Sequence, residues 1–99
     1  MDASREIRRA VDTGKVIFGT HRTMRAIRNK DTKLIIVASN TPREILEDIE
    51  RYSKLAKIPV HHFMGTGIDL GTLCGKPFIV SVMSIVSAGE SNVLALEGR

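Results

Sequence analysis

Cysteine is almost missing from this chain. Cys74 stands alone, so no internal disulfide can form, and a reducing, cytosolic setting is expected. Tryptophan is absent, and one Tyr and three Phe are the only aromatics. So small an aromatic set argues against a protein that stacks a long unstructured strand of bases. Long apolar runs are missing too. Leu34–Ala38 is among the longest, and it is far too short to cross a bilayer. The opening residues Met1-Asp2-Ala3-Ser4-Arg5 are charged and lack the apolar region of a secretory signal. Neither an internal repeat nor a low-complexity segment interrupts the 99 residues, which read as one domain over 1–99. With 42% hydrophobic and 26% charged residues, that domain is expected to fold around a modest core.

The usual groups of catalysis are thin. Gly65, Gly67 and Gly71 look superficially like a dinucleotide loop. Their spacing is off by one, and too little chain follows for the second half of such a site. Turns and close backbone approach account for them better. His61 and His62 are adjacent on an expected strand, so they point to opposite faces and cannot readily share an ion. Cys74 lacks an obvious activating neighbour and reads as a small buried side chain. The carboxylates of residues 44–50 are expected to serve helix pairing. Neither an enzyme nor a cofactor or metal site is expected.

Charge is the first positive signal. The net +4 is modest, but its placement is not even. Residues 15–33 hold Lys15, Arg22, Arg25, Arg28, Lys30 and Lys33 against one acid, Asp31. Residues 1–14 and 34–57 each balance, and 58–99 sum to −1. The whole excess therefore lies in nineteen residues, the signature either of a polyanion partner or of a solvated basic face.

Periodicity supplies the frame. Ile7 and Val11 mark a helix over 3–13, stopped at Gly14. Lys15–Phe18 reads as a short strand ended by Gly19. Thr20 is expected to cap a helix over 20–30. Its one side carries Thr23, Met24 and Ile27, and its other side His21, Arg22, Arg25 and Arg28. Residues 33–38 are apolar without alternation, as in a central strand buried on both faces. Thr41-Pro42-Arg43-Glu44 reads as a helix start, with Thr41 as cap and Pro42 in the first turn. That helix should run to about Lys57, burying Ile45, Leu46, Ile49, Tyr52 and Ala56. Glu47–Arg51 and Glu50–Lys54 are expected as its ion pairs. Further strands are expected over 60–63 and 78–86, a short helix over 68–74, and a short final strand over 93–96. Alternating strands and helices imply a three-layer α-β-α sandwich, an α/β fold with a mixed sheet of four or slightly more strands. Contacts should gather on the loops at one end of it.

Three positions on those loops suit nucleic acid. Arg22, Arg25 and Arg28 project from a helix that follows Gly19 directly, where its first amides can also meet a phosphate. Asn40 opens a second loop, where its amide could cap the next helix or bond a base edge. Phe78 follows Gly75-Lys76-Pro77, and could be core or a platform for an unstacked base. A structured RNA fits this set better than a single strand.

Several stretches are similar to one family. Gly19–Thr23, Lys33–Pro42, Ile49–Tyr52, Leu70–Lys76, Val82–Ser87 and Gly89–Ser91 resemble, in order and without a large gap, the archaeal and eukaryotic large-subunit ribosomal protein thirty-e. The resemblance implies the same sandwich and binding of kink-turn RNA, a sharply bent helix–bulge–helix element closed by sheared G·A pairs. It implies a protein that is monomeric when free, is cytoplasmic, and sits on ribosomal RNA, with other ribosomal proteins as possible neighbours. RNA-contacting residues would be Gly19, Thr20, His21, Arg22 and Arg25, then Asn40, Thr41 and Arg43, then Lys76, Phe78 and Val80. Gly19 would allow close approach, Asn40 would read a base, and Phe78 and Val80 would pack on bulged bases. Some relatives carry Lys where His21 stands. Sister proteins of other RNA particles carry Asn-Glu in place of His21-Arg22, which favours the ribosomal branch. A kink-turn protein of a non-ribosomal particle and a protein–protein module of the same fold are the alternatives. On either RNA reading, Arg22, Asn40 and Phe78 must meet on one exposed rim.

Overall fold

A computed structural model describes residues 2–96. Asp2 starts the first helix, α1 (Ala3–Thr13), by accepting the Arg5 N–H at its Oδ1, and Gly14 ends it. Lys15–Phe18 forms β1, and Thr20–Arg28 forms α2. Leu34–Val37 forms β2, Arg43–Ala56 α3, Val60–His62 β3, Gly67–Leu73 α4 and Val82–Ser87 β4. A 3-10 turn at Val93–Leu96 follows.

The strand order is β1-β4-β2-β3. Only β2 and β3 run parallel; β4 is antiparallel to both of its neighbours, so the four-stranded sheet is mixed. All four residues of β2 are buried, as its unbroken apolar run predicted. Leu34 and Ile36 face a core with Ile7 and Ala10 of α1 and Leu70 of α4. Ile35 and Val37 face the other core, with Ile27 of α2 and Ile49 of α3. Helices thus cover both faces, and each such aliphatic side chain stabilises the fold by about 1.5–3 kcal/mol relative to its exposed state.

Several local expectations need correction. Thr20 does not cap α2. The cap position is Gly19, whose φ of +105° suits glycine, and Thr20 is the first helical residue. That helix stops at Arg28 rather than residue 30, and Lys30 turns left-handed at φ +57°. Thr41 does not cap α3 either. Its hydroxyl lies 2.8 Å from the carbonyl of Ala38 and 3.1 Å from that of Ser81, so it bonds the sheet, and Pro42 takes the cap position. On α3 the pairs are Arg43–Glu47 and Arg51–Asp48 instead of Glu47–Arg51 and Glu50–Lys54. Such exposed pairs are worth only about 0.3–0.5 kcal/mol, too little to fix one choice from sequence. Residues 78–81 are not strand, and β4 begins at Val82, because Val80 N–H is drawn back to the Gly67 carbonyl (2.9 Å). Residues 93–96 form the 3-10 turn and no strand. α4 gains its start from a signal within the sequence: Thr66 and Asp69 form a capping box.

Candidate nucleic-acid interface

The sheet topology brings four loops to one end. β1, β2 and β3 all finish there, and antiparallel β4 begins there, with Phe18 opposite Met83 and Val37 opposite Val82. Hydrogen bonds then lace the loops together. Gly19 N–H donates to the Val82 carbonyl (2.9 Å), and Ala38 N–H to that of Ser81 (2.8 Å). Ser39 N–H donates to the Gly65 carbonyl (2.8 Å), and Gly67 N–H to Asn40 Oδ1 (2.9 Å). Phe78 sets its ring edge-to-face on Phe18, with centroids 6.1 Å apart, and Lys76 Nζ lies 5.3 Å from the centre of the Phe18 ring. Gly71 makes this possible: a Cβ there would stand 2.1 Å from the Phe78 carbonyl oxygen, so only glycine lets residues 77–79 lie against α4.

Gly19, Asn40, Lys76 and Phe78 therefore share one rim, with His21 and Arg22 exposed in the first turn of α2 above it. Among the described residues no side chain caps that turn. Asn40 does not cap α3. Its side-chain oxygen is committed across the loops to α4, which leaves the Nδ2 hydrogens as the amide's remaining donors. Phe78 is 51% exposed. Arg25 stands one turn further along α2, exposed beside Arg22 on the wall of a shallow groove against β1.

Three expected residues are placed differently. Val80 does not face solvent: its side chain is buried in the core with Leu70 and Met83, so it cannot pack on a base without rearrangement. Thr41 is buried and its hydroxyl is used internally. Arg43 is exposed on α3, but its Nε already holds Glu47 at 2.9 Å. In their stead the rim displays apolar side chains that the sequence reading passed over. Met64, Ile68 and Ile79 are 99%, 63% and 64% exposed. Ile68, Phe78 and Ile79 line one open groove with Thr72, Lys76 and Pro77. Their signal was present as apolar residues beside the Gly65–Gly67 loop and beside Phe78.

Nucleophilic chemistry finds little here. Cys74 is buried, and desolvation pushes its thiol up to about 11, against the smaller opposing pull of Arg8 and Lys76. His61 is buried and His62 exposed, as alternation along β3 requires.

The comparisons agree with this picture. The family model described as the ribosomal protein L7Ae/L30e/S12e/Gadd45 family matches residues 1–95. The large ribosomal subunit protein eL30 of Methanosphaera stadtmanae is 50% identical over 97 residues, covering 98% of this chain and 99% of the relative. That of Methanothermobacter thermautotrophicus is 47% identical over 98 residues, covering 99% and 100%. That of Saccharolobus solfataricus is 46% identical over 89 residues, covering 90% and 82%. These names describe ribosomal components and not catalysts, the class to which the residues pointed. The chain belongs to the ribosomal protein L7Ae/L30e/S12e/Gadd45 family, on its eL30 branch.

Proposed function

We propose that this protein is a structural constituent of the large subunit of the cytoplasmic ribosome, where it binds a kink-turn of ribosomal RNA through the loop end of its sandwich. The observation that carries the reading is the convergence at that end of unlike groups: Arg22, which has no ion pair among the described residues, the amide of Asn40, and the exposed apolar side chains Phe78, Ile79, Ile68 and Met64. Exposed apolar side chains of this size beside a cationic helix suit bases extruded from a structured RNA. Arg22 and the open amides of the first turn of α2 suit the phosphates crowded at a sharp bend. Asn40 supplies donors to a base edge, and its direction is set by the Gly67 bond. The eL30 names of its relatives support the ribosomal setting.

A gel-shift series with a kink-turn RNA and a control lacking the sheared G·A pairs tests the reading. Preferential binding of the kinked RNA at physiological salt is expected. Equal affinity for both RNAs refutes the specific claim, and binding of neither favours a protein–protein module.

A further inference from the structure

We propose that a second RNA contact lies at the far end of α2, and that Arg28, Lys30 and Lys33, with Lys15, hold the phosphate backbone of a helical stem that leaves the bound loop. This deepens the proposed function and rests on it. The basic residues of 15–33 are not gathered at the rim. The helix carries them from Arg22 in its first turn through Arg25 to Arg28 at its end, over roughly 9 Å at 1.5 Å per residue. Lys30 follows in a left-handed turn, and Lys33 directly precedes β2. Lys15 opens β1, so it too lies at the end opposite the rim. All six bases are exposed.

The density of bases without an ion pair distinguishes this stretch; elsewhere among the described residues only the scattered Arg5, Lys54, Lys57 and Lys76 share that state. Arg8, Arg9, Arg43 and Arg51 each stand within ion-pair distance of a carboxylate. Among the described residues none of the six bases of 15–33 does, and the stretch contains a single acid, Asp31. A cationic track with no ion pair among the described residues and one acid, Asp31, on the wall of its groove, beginning at the rim and running the length of one helix, keeps a net charge that repels itself and calls for an extended polyanion. An acidic protein patch would have to match the same length. An RNA stem anchored at the rim supplies regularly spaced phosphates along it with no further specificity, since duplex RNA is met through its backbone and shape.

The test compares two RNAs that share the kinked loop. One has both stems cut short; the other has one stem extended by a helical turn, each stem being tried in turn. The combined variant Arg28→Gln, Lys30→Gln and Lys33→Gln is measured beside the wild type. The wild type should bind one extended RNA more tightly than the short one. The variant should lose that gain, with the slope of log K against log salt falling in magnitude by about 2 to 3 on the extended RNA. On the short RNA the variant should match the wild type, which also certifies its fold. Wild-type affinity that ignores stem length, or a variant equally weakened on both RNAs, overturns the second contact while leaving the loop reading intact. Wild-type protein that fails to prefer the kinked loop removes the proposed function and this contact with it.

Discussion

Replacing Asn40 in two ways separates what its side chain does for the fold from what it offers to RNA. Its Oδ1 accepts the Gly67 N–H at 2.9 Å, and Gly67 is buried at the start of α4. Asn40→Ala removes that acceptor and leaves a buried donor without its partner, which costs about 1–3 kcal/mol. For a domain of this size each kcal/mol lowers Tm by about 4–8 °C, so a fall of roughly 4–24 °C is expected. Asn40→Asp keeps an acceptor at the same place, and a carboxylate near the start of a helix is tolerated or mildly favourable. Its Tm should stay within a few degrees of the wild type. That same carboxylate has lost both Nδ2 hydrogens, so discrimination for kink-turn RNA should fall by about 1–3 kcal/mol. Thermal melts followed by circular dichroism, paired with gel shifts well below each Tm, read the two effects separately. Equal destabilisation of both variants would refute the assignment of Oδ1 as a structural acceptor, as would an Asn40→Ala melt indistinguishable from wild type. Full RNA discrimination by Asn40→Asp would refute the role of the amide donors.

Arg22→Ala and Arg25→Ala should each weaken RNA binding and lower the magnitude of the salt slope by about 0.9 or less. Arg43→Ala, whose guanidinium already holds Glu47, should change the slope least in the same filter-binding series. Phe78→Ala combined with Ile79→Ser should reduce RNA affinity with a Tm loss of only about 1 kcal/mol equivalent, because both side chains are more than half exposed. Val80→Ala should do the reverse, costing about 1.5–3 kcal/mol of stability in chemical denaturation. Cys74, raised from 9.0 to about 11 by burial, favours the thiol in the folded state. Its contribution to stability is complete below pH 9 and lost as pH climbs from about 9 to about 11, amounting to at most about 3 kcal/mol. Denaturation at pH 8 and pH 10 for wild type and Cys74→Ala measures it, and a pH-independent difference between the two would contradict it.

Most of the frame could be read from residue patterns because burial imposes them. The stripe Ile45, Leu46, Ile49, Tyr52 and Ala56 packs as its helical spacing requires, and the unbroken apolar run of β2 lies at the sheet centre. The misreadings occurred where long-range contacts overruled local preference. Thr41 has the chemistry of a cap, yet the Ala38 and Ser81 carbonyls claim its hydroxyl. Phe78–Ser81 has the composition of a strand, yet the close packing at Gly71 and the Val80–Gly67 bond pull it off the sheet. That shift turns Val80 inward and Ile79 outward, which no local pattern encodes. Asn40 was legible as a residue of interest. Its partner, twenty-seven positions away, was not.

The strand order carries a consequence for how the chain is made. β1 and β2 are not hydrogen-bonded to each other; both pair with β4, which spans residues 82–87 and lies between them. Without residues 80–99 the sheet keeps only the short β2–β3 pair, and both cores lose side chains, among them Met83 and Ile85 from one and Val82 from the other. Such wide sequence separation slows folding. Synthesis consequently delivers the central pairing strand late, and a C-terminal truncation before Val82 is expected to prevent folding.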